Sequence, residues 1–188
     1  MNLLQQTTTQ RKIFVPHPYQ RYCIHRVVTD PYLGLLLDMG LGKTVITLTG
    51  VNDLMYNRFA VRKTLVVAPK KVAEATWTDE AAIWEHLQLL RVQTVLGTER
   101  QRLRALATPA DIYVIGRDNL QWLVDHYRQA WPFDMVVLDE LSSFKNPSSN
   151  RFKAMKRVRP KVQRVLGLTG TPAPNGLLDL WAQVYLLD

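Results

Sequence analysis

The segment Asp38-Met39-Gly40-Leu41-Gly42-Lys43-Thr44 sets two glycines, a lysine and a hydroxyl in the order that a phosphate-binding loop requires. Glycines let backbone N–H groups curl around phosphate oxygens, and a helix starting at the loop turns the positive end of its dipole toward them. Lys43 would then reach the β- and γ-phosphates, and Thr44 would offer its hydroxyl to Mg²⁺. Met39, Gly40, Leu41, Gly42, Lys43 and Thr44 are therefore candidate nucleotide-binding residues. The full G-x-x-x-x-G-K-S/T pattern asks for glycine at position 37, where this chain has Leu37. Taken alone, G-K-T also describes an ordinary turn with a capping threonine, so the chemistry depends on a strand before it and a helix after it.

A second cluster follows where the apolar run Met135-Val136-Val137-Leu138 ends in Asp139-Glu140. Adjacent carboxylates at a strand end are what a Mg²⁺-dependent phosphohydrolase needs beside its phosphate loop. One holds the metal or its waters, and the other orients or deprotonates the attacking water. Asp139 is assigned to the metal together with Thr44, and Glu140 to the water, which makes Lys43, Asp139 and Glu140 the candidate catalytic residues. An isolated Asp-Glu pair is more often a solvated turn; a phosphate loop upstream in the same chain shifts that balance.

Both clusters need strand ends to hold them. Apolar runs of strand length recur at 33–37, 64–68, 92–96, 111–115, 135–138 and 164–168. Several are apolar at nearly every position, the pattern of strands covered on both faces, although periodicity alone does not separate them from short buried helices. Between and after them, Val45, Leu48, Val51 and Met55, and again Leu177, Leu180, Trp181 and Val184, recur at helical spacings of three and four. Strand and helix alternate throughout. The expected fold is α/β, a three-layer sandwich with a mainly parallel central sheet and helices on both faces, whose binding groups gather at the carboxyl ends of the strands. No internal repeat or low-complexity tract divides the 188 residues, a length that suits one domain.

The 24 Lys and Arg exceed the 16 Asp and Glu, a formal +8, which makes a polyanion, nucleic acid first, a natural partner, although basic surfaces also serve solubility. Cys23 is the only cysteine, which leaves no intramolecular disulfide and no cysteine pair for zinc, and fits a reducing cytosol. His17, His25, His86 and His126 lack the i, i+4 pairing of a helical metal site and are read as surface or capping residues. No apolar stretch approaches the ~18 residues of a membrane span or forms a signal-peptide core. A soluble protein with no membrane partner is expected.

From Pro16 onward, the series of motifs resembles the first RecA-like lobe of Swi/Snf-related ATPases, DNA translocases of helicase superfamily two. His17-Pro18-Tyr19-Gln20 is similar to the family's entry motif, whose glutamine reads the adenine edge, so the resemblance adds Tyr19 and Gln20 to the nucleotide-binding candidates. Asp38 to Thr44 matches its D-x-M-G-L-G-K-T loop. Leu65-Val66-Val67-Ala68-Pro69, with Trp77 and Glu80, resembles a segment near the nucleic-acid track, and Asp111 to Leu120 sits where a second such segment is expected. Leu138-Asp139-Glu140-Leu141-Ser142-Ser143-Phe144-Lys145-Asn146 resembles the D-E-A-H-x-x-K-N box. Leu168-Thr169-Gly170-Thr171-Pro172-Ala173-Pro174-Asn175 matches the L-T-G-T-P-x-x-N coupling motif, which implies that Thr169, Gly170 and Thr171 lie between the γ-phosphate and the DNA surface.

The resemblance implies ATP and Mg²⁺ as cofactors, and double-stranded DNA and a second RecA-like lobe as partners. Residues 1–15 are then an N-terminal extension and 16–188 the first lobe; the sequence reaches Asp188 without a match to second-lobe motifs, so that lobe is expected elsewhere. Leu37-Asp38 stands where many relatives have Asp-Glu, and Leu141-Ser142 replaces Ala-His. The usual histidine would contact the coupling motif, whereas Ser142 is shorter and cannot become charged. These departures suggest a phage or bacterial branch.

Of the basic residues, Lys70, Lys71 and Arg117 follow strand ends in the segments that the family sets against DNA, and they are the candidate DNA contacts, made to phosphates without sequence preference. The spacing of the cluster at Arg100, Arg102 and Arg104 decides little, and the cluster from Lys153 to Arg164, which mixes apolar and basic positions, reads by default as a solvated face. Trp77, at helical spacing from Glu80 and Trp84, reads as a packing residue rather than a base-stacking one. Two other readings share these residues: a non-catalytic basic module that holds nucleotide or DNA, and an RNA helicase lobe, whose coupling motif is typically S-A-T.

Overall fold

The computed structural model describes residues 11–170 and 177–187. In chain order the main elements are α1 (Pro18–Thr29), β1 (Tyr32–Leu36), α2 (Lys43–Asn52), β2 (Thr64–Ala68), α3 (Lys70–Glu74), α4 (Thr76–Ile83), β3 (Val92–Val95), α5 (Glu99–Ala107), β4 (Ile112–Gly116), α6 (Leu120–Tyr127), β5 (Met135–Asp139), α7 (Asn150–Val158), β6 (Arg164–Thr169) and α8 (Leu177–Leu187). The six strands form one sheet in the order β1-β6-β5-β2-β4-β3. Every neighbouring pair is parallel.

The inner strands β2, β4, β5 and β6 are mostly apolar at successive positions because both of their faces are covered, whereas the edge strands β1 and β3 are only partly buried. Val66, Val114, Val137 and Leu166 point into a core closed by α1, α2, α3 and α4. Their neighbours Leu65, Tyr113, Val136 and Val165 point into a second core under α6, α7 and α8. Burying one such aliphatic side chain stabilises the fold by roughly 1.5–3 kcal/mol, so the alternation holds the sheet between two helical layers. The architecture is the three-layer α/β sandwich expected from the sequence, with a sheet that is parallel throughout.

The stripe Val45, Leu48, Val51 and Met55 is buried as its spacing predicts. On α8, Ala182, Gln183 and Leu186 are buried, while Trp181 and Val184 of the expected stripe are turned outward, 57% and 50% exposed; the Leu177 and Leu180 side chains lie outside those described. Ahead of α1, Lys12 bridges to Trp84 and the Phe14 ring packs on Trp84 and His86. Among the described residues no helix is long and apolar enough to cross a membrane.

Candidate active site

The strand order sets β1, β6 and β5 side by side, so the residues that follow their carboxyl ends converge. Leu36 pairs with Thr169, and Asp139 with Leu168. The phosphate loop, the start of the coupling motif and the acid pair thus share one corner of the sheet edge, where ligands of open parallel sheets bind.

The loop between β1 and α2 turns on two glycines in the left-handed region, Gly40 at φ +82° and Gly42 at φ +77°. Gly42 is the N-cap of α2, so the first N–H groups of that helix open toward the loop. A Cβ on Gly40 would meet nothing within 4 Å, whereas one on Gly42 would come 2.8 Å from Gln20 Nε2. The loop is tied to the sheet where Leu37 N–H donates to the Thr169 carbonyl over 3.1 Å. Lys43 folds back on its own loop, its Nζ donating to the carbonyls of Leu37 (2.7 Å) and Asp38 (3.0 Å). Met39, 91% exposed, stands at the tip.

α1 abuts this loop. Gln20 is buried, and its Oε1 accepts from His17 N–H over 2.9 Å. That bond closes the first turn of α1 and presses the amide against Gly42. Tyr19 Oη donates to the Leu41 carbonyl over 3.2 Å. Tyr19 and Gln20 thus both lie beside the phosphate loop. The capping histidine of the expectation is His17.

At the end of β5, Asp139 Oδ2 accepts a 3.0 Å hydrogen bond from the Trp77 indole N–H. Burial pushes the Asp139 carboxyl above the ordinary range; the indole bond and the Lys43 charge act the other way, and the Glu140 charge adds to the rise. Glu140 sits in left-handed backbone at φ +66°, an uncommon conformation for a residue with a side chain. Its Oε1 accepts from Ser142 Oγ over 2.6 Å. Thr169 Oγ1 stands 3.5 Å from the same oxygen, at the outer limit of a hydrogen bond. Gly167 makes room for this turn, because a Cβ there would meet Leu141 Cδ2 at 2.6 Å. Gly170 packs on the loop base near the Leu37 carbonyl. Thr171 lies outside the described residues.

The donors at this corner suit a hard cation. Asp139 and Thr44 offer only oxygen, and the open, N–H-lined glycine loop beside them suits phosphate, so the residues fit Mg²⁺ held jointly with a nucleotide. Among the described residues there is no group of three His, Cys, Asp or Glu able to hold a metal without such a ligand.

Lys70 and Lys71 open α3, exposed, directly after β2. Arg117 follows the adjacent β4, whose Gly116 pairs with Ala68. They belong to the same carboxyl edge as the acid pair, one and two strands further along. A cleft of about 700 Å³ opens there, lined by Lys70, Gly97, Thr98, Gln101, Arg102 and Gly116 among others. The Arg102 guanidinium stacks 4.2 Å over Trp122 and donates to the Gly97 carbonyl over 2.8 Å. Sequence spacing gave no signal for that stacking, nor for the bond from Trp77 to Asp139.

A family model for the SNF2-related domain matches residues 20–188. The chain is 40% identical over 183 residues to protein p41 of Acyrthosiphon pisum secondary endosymbiont phage 1, covering 94% of this chain and 40% of that protein. It is 33% identical over 153 residues to the mouse (Mus musculus) DNA excision repair protein ERCC-6-like, covering 77% of this chain and 12% of the relative. The chain therefore spans less than half the length of these relatives. Among solved structures, the Sulfolobus solfataricus SWI2/SNF2 ATPase core in complex with dsDNA superposes with a TM-score of 0.74 at 25% identity, over 94% of this chain and 38% of that one. The UvsW helicase of bacteriophage T4 shares the fold, with a TM-score of 0.65 at 14% identity over 90% of this chain and 58% of that one. With motifs, topology and the family match in agreement over nearly its whole length, this chain belongs to the SNF2-related domain family of helicase-like ATPases.

Proposed function

We propose that the chain is the ATP- and Mg²⁺-binding first motor lobe of a double-stranded DNA translocase, which works with a second RecA-like lobe to couple ATP hydrolysis to movement along DNA. The observation that carries this reading is the convergence of the Lys43 loop, Thr169 and the Asp139–Glu140 pair on the adjacent ends of β1, β6 and β5.

In this reading Lys43 exchanges the Leu37 and Asp38 carbonyls for β- and γ-phosphate oxygens, and the N–H groups from Met39 to Thr44 line the phosphate chain. Tyr19 and Gln20 hold the adenine side. Asp139 and Thr44 would hold Mg²⁺, which when bound supplies positive charge against the negative charge on the γ-phosphoryl group. Glu140 orients the attacking water and accepts its proton. Thr169, beside Glu140, and Gly170 and Thr171 beyond it connect this corner to the rest of the motor. Lys70, Lys71 and Arg117 take the phosphate backbone of duplex DNA, in agreement with their place on the same edge of the sheet and with the DNA complex of the Sulfolobus relative.

Similarity to a phage protein supports a phage or bacterial origin and action in the cytoplasm of a bacterial cell. The lobe is assigned to residues 16–188, with 1–15 as an extension. Isothermal titration tests the core of the proposal. ATP with Mg²⁺ should bind the chain, and Lys43→Ala should weaken that binding at least about tenfold, the effect of losing one charge-assisted contact to phosphate. Equal affinities would refute the assignment.

A further inference from the structure

Trp77 takes no part in the chemistry proposed above, yet its indole is built into the site. It belongs to α4, and it is only 1% exposed, so it offers no face to a nucleic-acid base. The ring is fixed in the core under the sheet with Ala73, Ala81, Val66 and Val137. From there Nε1–H reaches across 62 positions of sequence to Asp139 Oδ2 at 3.0 Å. An indole is a donor only and cannot exchange roles with the carboxylate, and a ring locked by packing delivers its N–H in one direction.

We propose that Trp77 is a positioning residue for the divalent cation: its indole N–H occupies one oxygen of Asp139 and sets the plane in which the carboxylate presents its remaining lone pairs to Mg²⁺. This rests on the assignment of Asp139 to the metal made above. Hydrogen-bond partners of metal ligands typically govern affinity by about 10- to 100-fold, because they hold the ligand in its binding orientation before the ion arrives.

The test replaces Trp77 with β-(3-benzothienyl)alanine, which keeps the ring's shape and has sulfur where the indole has N–H, alongside Trp77→Phe. ATP affinity is measured by calorimetry with and without Mg²⁺, after a thermal melt has confirmed folding. Metal-free affinity should match the unsubstituted chain, while the gain on adding Mg²⁺ should shrink about tenfold. An undiminished gain would overturn the inference, as would an equal loss with and without Mg²⁺, the behaviour of a packing residue alone. If neither substituted chain folds, the unsubstituted chain decides. Its Trp77 indole ¹H–¹⁵N resonance should move when Mg²⁺ joins bound ATP, and an unmoved resonance overturns the inference. Failure of the unsubstituted chain to bind ATP would bring down the proposed function together with this inference; an undiminished Mg²⁺ gain brings down the inference alone.

Discussion

Ser142 Oγ donates to Glu140 Oε1 over 2.6 Å, and Thr169 Oγ1 stands 3.5 Å from that same carboxylate oxygen. Where the resemblance implies a histidine that would contact the coupling motif, this chain has a shorter hydroxyl that cannot become charged. In the function proposed above, the connection would run instead through the carboxylate, which Ser142 holds from one side and Thr169 approaches from the other. Ser142→Ala should therefore leave ATP affinity unchanged and slow hydrolysis. A hydrogen bond to a charged group is worth about 1.5–3 kcal/mol when buried, and Glu140 is half-buried, so we expect a cost of about 1 kcal/mol, roughly fivefold in rate. Single-turnover release of radiolabelled phosphate, measured with the second lobe supplied, reads it; an unchanged rate would show that the serine does not orient Glu140.

The chain alone should hydrolyse ATP very slowly even with duplex DNA present. In two-lobed motors the second lobe supplies arginines to the γ-phosphoryl group, and by analogy with arginine fingers their absence costs about 10³ to 10⁵ in rate. Arg164 does not substitute for them. It lies at the amino end of β6, and its guanidinium donates to the carbonyls of Val27, Val28 and Asp30. Steady-state phosphate release should stay near that of a Glu140→Gln control. A turnover of several per second that Glu140→Gln abolishes would show a complete active site within this chain.

Duplex DNA should bind weakly, without sequence preference, and with an affinity that falls steeply with salt. Each phosphate contact released by substitution should lower the slope of log affinity against log salt by about 0.9. Lys70→Ala and Lys71→Ala should each do so, and should weaken binding to unrelated duplexes alike. Fluorescence anisotropy over a salt series measures this; discrimination between duplexes, or affinity indifferent to salt, would contradict it.

Acid should unfold the chain partly through Asp111, a buried residue just before β4. Burial pushes its carboxyl up, but hydrogen bonds from the Arg91 side chain and backbone and from Tyr56 outweigh this and hold it below the ordinary range. The folded state thus binds fewer protons than the unfolded chain near the ordinary carboxylate pKa of ~3.9. The stability it contributes is fully present above about pH 4 and is lost as pH falls through the lowered value. Asp111→Ala strands the Arg91 N–H, while the Tyr56 hydroxyl keeps the Leu89 carbonyl at 3.0 Å, and should cost about 1–3 kcal/mol at neutral pH, read by urea denaturation. A variant as stable as the parent at pH 7 would count against this clamp.

All six strands were legible in the sequence as runs of strand length between helical stripes, most plainly β2, β4 and β5, which are covered on both faces and so apolar at nearly every position. The glycine loop and the acid pair were legible for a similar reason: phosphate binding and carboxylate chemistry each require particular residue types next to one another. Tertiary structure alone decided which strand ends meet. The order β1-β6-β5-β2-β4-β3 sets Lys43 beside Asp139 and Glu140, and it follows from how the crossover helices pack, which no local pattern encodes. Trp77 illustrates the boundary. Its spacing from Glu80 and Trp84 marks a packed helix, but the bond from its indole to Asp139 joins positions 62 apart and exists only once both faces of the sheet have closed. The outward turn of Trp181 and Val184 on α8 belongs to the same class. Helical spacing shows that a stripe exists; the neighbouring sheet and helices decide which side of the helix is pressed inward.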